Sequence, residues 1–103
     1  MASTSSSTDW TDYLPGKNVN SLKEFNNELY SKYNKDRTVF TEAFMTECPK
    51  SKSFVKEYRC AADRIMKNFP DCAAFVNVNS HYARDFNKAY NIRKVPIFLA
   101  FQE

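Results

Sequence analysis

The chain has 103 residues, and its 15 basic and 12 acidic side chains give a formal charge of +3. This length suits one domain with a modest core. The charges are spread along the chain without a basic block, which gives no indication of nucleic-acid binding. The longest apolar run, residues 95–101, falls well short of the roughly 20 residues of a membrane span. We therefore expect a protein that neither binds nucleic acid nor spans a membrane.

The three cysteines, Cys48, Cys60 and Cys72, are an odd number without a close pair. Such spacing is more typical of free thiols in a reducing compartment than of a disulfide framework. The N-terminus has neither the apolar segment of a secretory signal nor the Arg residues of a transit peptide. These features indicate a cytoplasmic protein. Because His81 is the single histidine, we expect no metal site of the common zinc kind and no cofactor.

The beginning of the chain differs in composition from the rest. Residues 1–16 form a polar, Ser/Thr-rich leader that closes with three apolar anchors, Trp10, Tyr13 and Leu14. Residues 17–103 then form the predicted domain.

The first elements of the domain are a strand and a helix. Residues 17–20 have the pattern of a short edge strand. Ser21 and Glu24 then match a capping box, which predicts the start of an amphipathic helix that ends at residues 34–36. Its predicted inward-facing side chains are Leu22, Phe25, Leu29 and Tyr33.

Two stretches rich in β-branched, aromatic and small apolar residues, 38–44 and 73–79, predict buried strands. Between them, a helical period begins at Pro49 and stops before Pro70, which predicts one continuous helix. The predicted apolar stripe of this helix is Phe54, Tyr58, Ala61, Ala62, Ile65, Met66 and Phe69.

A short third helix and a last strand complete the pattern. Asn79 or Ser80 is the predicted cap of this helix, and His81 lies in its first turn. Its predicted inward side chains are Ala83, Phe86 and Tyr90. Pro96 cannot donate to a sheet ladder and belongs at the first position of the strand, where it is also a candidate for a cis peptide bond. The unbroken apolar run after it predicts a strand covered on both faces, and strands alternating with helices predict an α/β fold.

Two segments carry a family resemblance. Tyr90-Asn91-Ile92-Arg93-Lys94-Val95-Pro96-Ile97-Phe98-Leu99 resembles the Y-G-I-R-x-[IV]-P-T-[FL]-[LI] segment of thioredoxins, and Cys48-Pro49-Lys50-Ser51-Lys52 stands where that family has C-x-x-C. The resemblance covers roughly residues 18–102. It implies a thioredoxin-like fold with a mixed four-stranded sheet and about three helices, in which the proline is cis and faces the reactive cysteine.

The chain departs from the family pattern at informative positions. Ser51 replaces the second cysteine, which makes the motif a monothiol C-x-x-S, and Glu47 replaces the usual tryptophan. Glu42 stands in place of the buried aspartate, and Pro49 is more like the glutaredoxin pattern C-P-x-[CS]. The sequence is also C-terminally short, because thioredoxins continue with a further strand and helix. We therefore expect an exposed sheet edge for a protein partner or oligomer to cover.

Cys48 has the local chemistry of a nucleophile. Free N–H groups and the dipole at the start of the following helix, together with Lys50 and Lys52, favour the thiolate, whereas Glu47 opposes it. Ser51 cannot resolve a mixed disulfide. Cys60 is twelve residues further along, about 18 Å at the rise of a helix, so an external thiol would have to finish the cycle.

The resemblance implies one function for this site. Cys48 would carry out thiol-disulfide exchange or isomerisation on a protein disulfide or a glutathione-type thiol. The catalytic residues would be Cys48, Ser51, Pro96 and Glu42, and the substrate-binding residues would be Arg93, Val95 and Pro96.

A second function, of another class, stays open at this point. The chain could be a redox-inactive thioredoxin-fold subunit that docks in a larger protein assembly through its sheet edge and the leader anchors. Cys48 would then be just a small residue before a helix, Glu42 a solvated glutamate at a strand end, and Arg93 an exposed loop charge.

Overall fold

The computed structural model describes residues 10–33 and 37–102. The Ser/Thr-rich start of the leader, the predicted helix end at residues 34–36, the side chain of Tyr33 and the terminal Glu103 lie outside this part of the chain. None of the helices within it has the length and apolar character required to cross a membrane. The elements in chain order are a 3-10 helix (Trp10–Tyr13), β1 (Lys17–Val19), α1 (Leu22–Tyr33), β2 (Thr38–Phe44), α2 (Pro49–Ser53), α3 (Val55–Asn68), β3 (Ala73–Asn79), α4 (Arg84–Ala89) and β4 (Ile97–Phe101).

The four strands form one mixed sheet in the order β1-β3-β2-β4. β1 and β2 both run parallel to β3, whereas β4 runs antiparallel to β2. Helices connect the parallel strands, as such crossovers require. The predicted α/β fold with a mixed four-stranded sheet is confirmed, and β4 is an edge strand that pairs on one side only within the described residues.

The start of α1 follows the predicted capping box. The Glu24 N–H donates to Ser21 Oγ at 3.1 Å, and the Asn20 N–H donates to Glu24 Oε1 at 3.3 Å. The Ser21 hydroxyl and the Glu24 carboxylate thus accept hydrogen bonds from two backbone N–H groups at the helix start, which have no acceptor within the helix. This fixes the direction in which α1 presents Phe25 and Leu29 to the core.

One face of the sheet carries a continuous apolar core under α1 and α4. Phe25 lies at its centre, with ring centroids 4.9 Å from Phe86 and 5.2 Å from Phe101. These edge-on contacts are the geometry that aromatic pairs prefer. The buried members of this core are Val19, Phe25, Leu29, Val39, Ala43, Ala74, Val76, Val78, Ala83 and Phe86.

The opposite face packs against α3 and the N-terminal 3-10 helix. Trp10 and Leu14 are buried there against Phe44, and the Trp10 Nε1–H donates to the Thr46 carbonyl at 3.1 Å. Two of the three predicted leader anchors are therefore part of the core and are not available for docking. Tyr13, the third, is 61% exposed.

A single glycine joins the leader to β1. Gly16 has φ +80, and a Cβ at this position would overlap the backbone carbonyl of Phe75. A positive φ and a close backbone approach are the two conditions that only glycine meets without strain. The chain at Gly16 therefore lies directly against β3.

The predicted long helix is interrupted at Phe54, so the described chain has four α-helices where about three were expected. Phe54 has φ −88 and ψ −6, at the margin of the helical region, and this local irregularity separates α2 from α3 although helical hydrogen bonds continue on both sides. No proline or glycine marks this position, which is why the sequence pattern missed it. The predicted stripe is also only partly inward, since Ala62 is buried while Phe54, Met66 and Phe69 are exposed.

The third predicted helix starts later than expected. Its N-cap is Ala83, and neither Asn79 nor Ser80 caps it. The Asn79 side chain instead accepts a hydrogen bond from the His81 N–H at 3.1 Å, which closes a turn before α4. His81 therefore lies in that turn, outside the helix.

The prediction that the last strand is covered on both faces is wrong. Pro96 lies one residue before β4, and the residues of β4 alternate between half-buried and exposed. Ile97, Leu99 and Phe101 pack on the apolar core, whereas Phe98 is 47% exposed on the other face. The cause is the edge position of β4, whose second face α3 covers only in part: the Phe98 ring contacts Tyr58 of α3 at 5.0 Å between centroids, and its other side is open. Tyr90, predicted inward, is exposed at the margin of the core.

Candidate active site at Cys48

Cys48 lies at the carboxyl end of the parallel strands, where open α/β sheets commonly place their sites. It follows β2, and it is the N-cap of α2 with Pro49 at the first helical position. The N–H of Lys52 donates to the Cys48 carbonyl at 3.1 Å, which closes the first helical turn. The cysteine side chain thus lies beside the free N–H groups of a helix start.

The loop before β4 approaches this cysteine. Cys48 Sγ lies 3.7 Å from the carbonyl oxygen of Val95, and the Val95–Pro96 peptide bond is cis. The structure therefore brings Cys48 next to the Val95–Pro96 peptide, although Val95 follows Cys48 by 47 residues in the chain. This contact defines the candidate site.

The local dipoles favour the thiolate of Cys48. Its pKa is lowered, chiefly because the Ser51 N–H is directed at the sulfur. The Ser51 hydroxyl, the Lys50 N–H and the Lys50 charge act in the same direction, while partial burial opposes them. At neutral pH a larger fraction of this thiol is ionised than of an ordinary cysteine.

Ser51, which occupies the position of a second cysteine, is completely buried. Its hydroxyl lies near enough to Cys48 to lower the pKa of the thiol, but it makes no hydrogen bond of ordinary geometry with any of the described residues. A buried donor without a partner is costly, and ionised Cys48 is an acceptor that would satisfy it.

Glu42 is completely buried in β2, so the interpretation as a solvated glutamate is wrong. Both carboxylate oxygens are without a hydrogen-bond partner among the described residues. Loss of hydration raises the pKa of Glu42 from 4.5 to about 7. The pKa of Tyr58 is raised as well, chiefly by burial of its hydroxyl and in addition by the negative charge of Glu42. The Tyr58 hydroxyl also has no hydrogen-bond partner among the described residues.

The remaining predicted residues lie at the surface. Arg93 is exposed, and its Nε–H donates to Asn91 Oδ1 at 3.1 Å. Asn91 stands where the thioredoxin pattern has glycine and has φ 55, a conformation that asparagine tolerates better than most residues. Cys60 and Cys72 are exposed free thiols, and neither contacts the site.

The described residues contain no group of three or more metal-ligating side chains. Sequence reasoning missed a set of site residues that come from separate loops, among them Ser80 and Arg84, which line a cavity next to Val95. No spacing rule joins these positions, because they meet only when β3 and β4 lie in the same sheet.

Comparison with models of known families and with curated proteins gives no significant match. Among solved structures, the chain is similar to a Schistosoma mansoni thioredoxin pre-protein, at 19% identity and a TM-score of 0.71, over 85% of this chain and 76% of that one. It is also similar to mitochondrial thioredoxin 3 from Saccharomyces cerevisiae, at 18% identity and a TM-score of 0.63, over 93% and 79%. A thioredoxin from Nicotiana alata matches at 13% identity and a TM-score of 0.69, over 86% and 73%. The chain therefore has the thioredoxin fold.

Proposed function

We propose that this chain is a monothiol thioredoxin-like protein that carries out thiol-disulfide exchange or isomerisation through Cys48. The observation that carries the proposal is the position of the Cys48 thiol, which lies at the start of α2 with a lowered pKa and 3.7 Å from the Val95 carbonyl. An activated thiolate beside an exposed loop is the arrangement that attack on a disulfide requires.

The reaction would proceed in two exchanges. The Cys48 thiolate attacks one sulfur of a substrate disulfide, forms a mixed disulfide with it, and expels the other sulfur as a thiolate with the electron pair of the broken bond. An external thiolate, from a glutathione-type molecule or a second protein cysteine, then attacks the mixed disulfide and releases Cys48. Both steps conserve electrons, and a reducing compartment such as the cytoplasm would supply the second thiol.

The other site residues would support these steps. The Ser51 hydroxyl would hydrogen-bond the thiolate, because it is buried beside it without another partner. Glu42, a buried carboxyl with a pKa of about 7, would exchange protons near neutral pH. Val95, Pro96 and Arg93 would contact the substrate chain beside the sulfur.

The test is the isomerisation of a protein with scrambled disulfides, with glutathione as the external thiol. Cys48→Ser should reduce the rate to the uncatalysed value, because no other described thiol lies in the site. Cys60→Ser and Cys72→Ser are matched controls and should keep the full rate. Equal losses in all three variants, or no loss with Cys48→Ser, would contradict the proposal.

A second candidate function is that of a redox-inactive subunit in an assembly. The observation that favours it is an exposed aromatic pair, Phe54 and Phe98, beside the edge of β4. Their side chains are 48% and 47% exposed, and apolar groups next to an edge strand commonly mark an interface. Sedimentation would test it: the protein should associate, Phe98→Lys should dissociate it, and Cys48→Ser should not. A protein that stays monomeric at high concentration would argue against self-association.

A further inference from the structure

The cavity next to Val95 adjoins the candidate active site. The loop after β3 and the loop before β4 line an open cavity of about 300 Å³, and Met45, directly after β2, also lines it. Val95 lies in its wall, and the carbonyl of this residue is the group that Cys48 Sγ contacts. A molecule that reacts with Cys48 can therefore extend along the protein surface from the sulfur, past Val95, into this cavity.

The charges around this cavity have one sign. Arg84, Arg93 and Lys94 line it, and none of the nine lining residues is acidic. No carboxylate of the described residues forms an ion pair with any of these three side chains. Such a cluster of cations attracts an anionic ligand, and guanidinium groups bind a carboxylate through paired hydrogen bonds.

A buried hydroxyl adds an independent observation. Ser80 lines the same cavity, is only 6% exposed, and its hydroxyl has no partner among the described residues. The Asn87 amide holds the Ser80 carbonyl at 2.8 Å, which keeps this residue in the wall. Because its oxygen is itself covered, this hydroxyl adds polarity to the cavity wall beside the three cations and does not contact a molecule in the cavity directly.

We propose that this basic cavity binds a carboxylate of the disulfide substrate, so that Cys48 acts preferentially on acidic disulfides. The inference rests on the proposed function of Cys48 and names the class of its substrate. The carboxylate would lie among the exposed side chains of Arg84, Arg93 and Lys94, while the reacting sulfur lies beside the Val95 carbonyl. Its source is either the carboxylates of a small glutathione-type disulfide or an acidic side chain near a protein cysteine.

The experiment compares two small disulfides that differ in charge, dithiobis(nitrobenzoate), which carries two carboxylates, and neutral dithiodipyridine. Their second-order rates with Cys48 are measured on the full chain carrying Cys60→Ser and Cys72→Ser. The ratio of the anionic to the neutral rate removes any change in the pKa of Cys48. In the double variant Arg84→Gln, Lys94→Gln this ratio should fall about tenfold, as expected when electrostatic attraction to a site is lost. Lys88→Gln, an exposed lysine of α4 outside the cavity, is the matched control and should leave it within about twofold.

The outcomes separate this inference from the proposed function. Cys48 that reacts with neither disulfide overturns both. Normal reaction with the neutral disulfide and an unchanged ratio in the double variant overturns the carboxylate site alone, as does an equal fall with Lys88→Gln.

The source of the carboxylate is settled by two further substrates. One is glutathione disulfide, and the other is a cysteine peptide disulfide with neighbouring Asp residues, compared with its Asn counterpart. The double variant should lose rate on the true source and keep it on the other. An equal rate on all substrates in both proteins would overturn the inference.

Discussion

The two faces of the sheet are packed differently. Under α1 and α4, the side chains of all four strands merge into one apolar cluster around Phe25. Under α3, the apolar residues fall into two smaller clusters, one around Phe44 and one around Phe75. The residues between these clusters are polar: in register across the strands lie Asn18, Asn77 and Glu42, followed by the half-exposed Phe98.

The three polar side chains in this register, those of Asn18, Asn77 and Glu42, are not fully hydrogen-bonded. Asn77 donates to the Pro15 carbonyl and to Asn18 Oδ1, but its own Oδ1 has no partner in the described part of the chain, and neither has the carboxyl of Glu42. Unsatisfied buried groups cost about 1–3 kcal/mol each. Folded proteins depart from consistent packing mainly where function requires it. The face under α3 thus contains the buried polar groups whose burial is costly, whereas the opposite face is apolar in all four strands.

The largest effect is expected in the apolar face. Phe25→Ala should lower the free energy of unfolding by about 3–5 kcal/mol, because it removes a completely buried ring with three aromatic neighbours. Phe98→Ala, on the other face, removes a ring that is already half in water and should cost less than about 1.5 kcal/mol. Chemical denaturation measures both. Equal costs would contradict the difference between the faces.

A smaller effect is expected for the buried carboxyl of Glu42, and its replacement should raise the free energy of unfolding above pH 7 rather than lower it. The pKa of Glu42 rises from 4.5 in the unfolded chain to about 7 in the folded one. Between these pH values the folded protein keeps a proton that the unfolded chain has released, so stability falls as pH rises. The loss should amount to about 3 kcal/mol and end near pH 7.

Unfolding measured from pH 4.5 to 8 tests this pH dependence. Glu42→Gln removes the titrating group and should flatten the profile over this window, making the variant the more stable protein above pH 7. Glu57→Gln, an exposed glutamate of α3, should keep the slope of the unchanged protein. A slope that survives Glu42→Gln would assign it to another group.

The smallest effect is expected at the start of α1. Ser21→Ala removes the acceptor of the Glu24 N–H and should cost about 1 kcal/mol. Ser31→Ala, within the same helix and exposed, should be neutral or slightly stabilising, because alanine has the higher helix propensity. Thermal or chemical unfolding of the two variants measures this difference. If both behave alike, the capping box does not stabilise the helix.

Local signals predicted much of the fold. The capping box at Ser21, the β-branched stretch 38–44 and Pro49 after Cys48 each fix an element through nearest-neighbour chemistry, and the structure has these elements in place. The break at Phe54 and the exposed face of β4 were not predictable in this way. Phe54 is an acceptable helix residue, and an apolar run does not show whether another element covers it.

The candidate site was predictable where a motif marks it. Cys48 and Pro96 could be named from the sequence, and the structure brings their segments together. The burial of Glu42 depends on α3 lying over β2 and β3, and the basic cavity depends on two loops meeting beside Val95. Neither leaves a periodic or spaced pattern, because the residues involved are joined only by the strand order.

The proposed chemistry depends most directly on the ionisation of one thiol, that of Cys48. The measurement is the pH dependence of Cys48 alkylation by iodoacetamide, in the full chain with Cys60→Ser and Cys72→Ser. We expect the alkylation rate of Cys48 to have its pH midpoint clearly below the value of about 8.5 for a free thiol. The midpoint should rise towards that value when Ser51→Ala removes the neighbouring hydroxyl. A midpoint at or above about 8.5 would contradict it, because Cys48 would then be no more reactive than an ordinary cysteine.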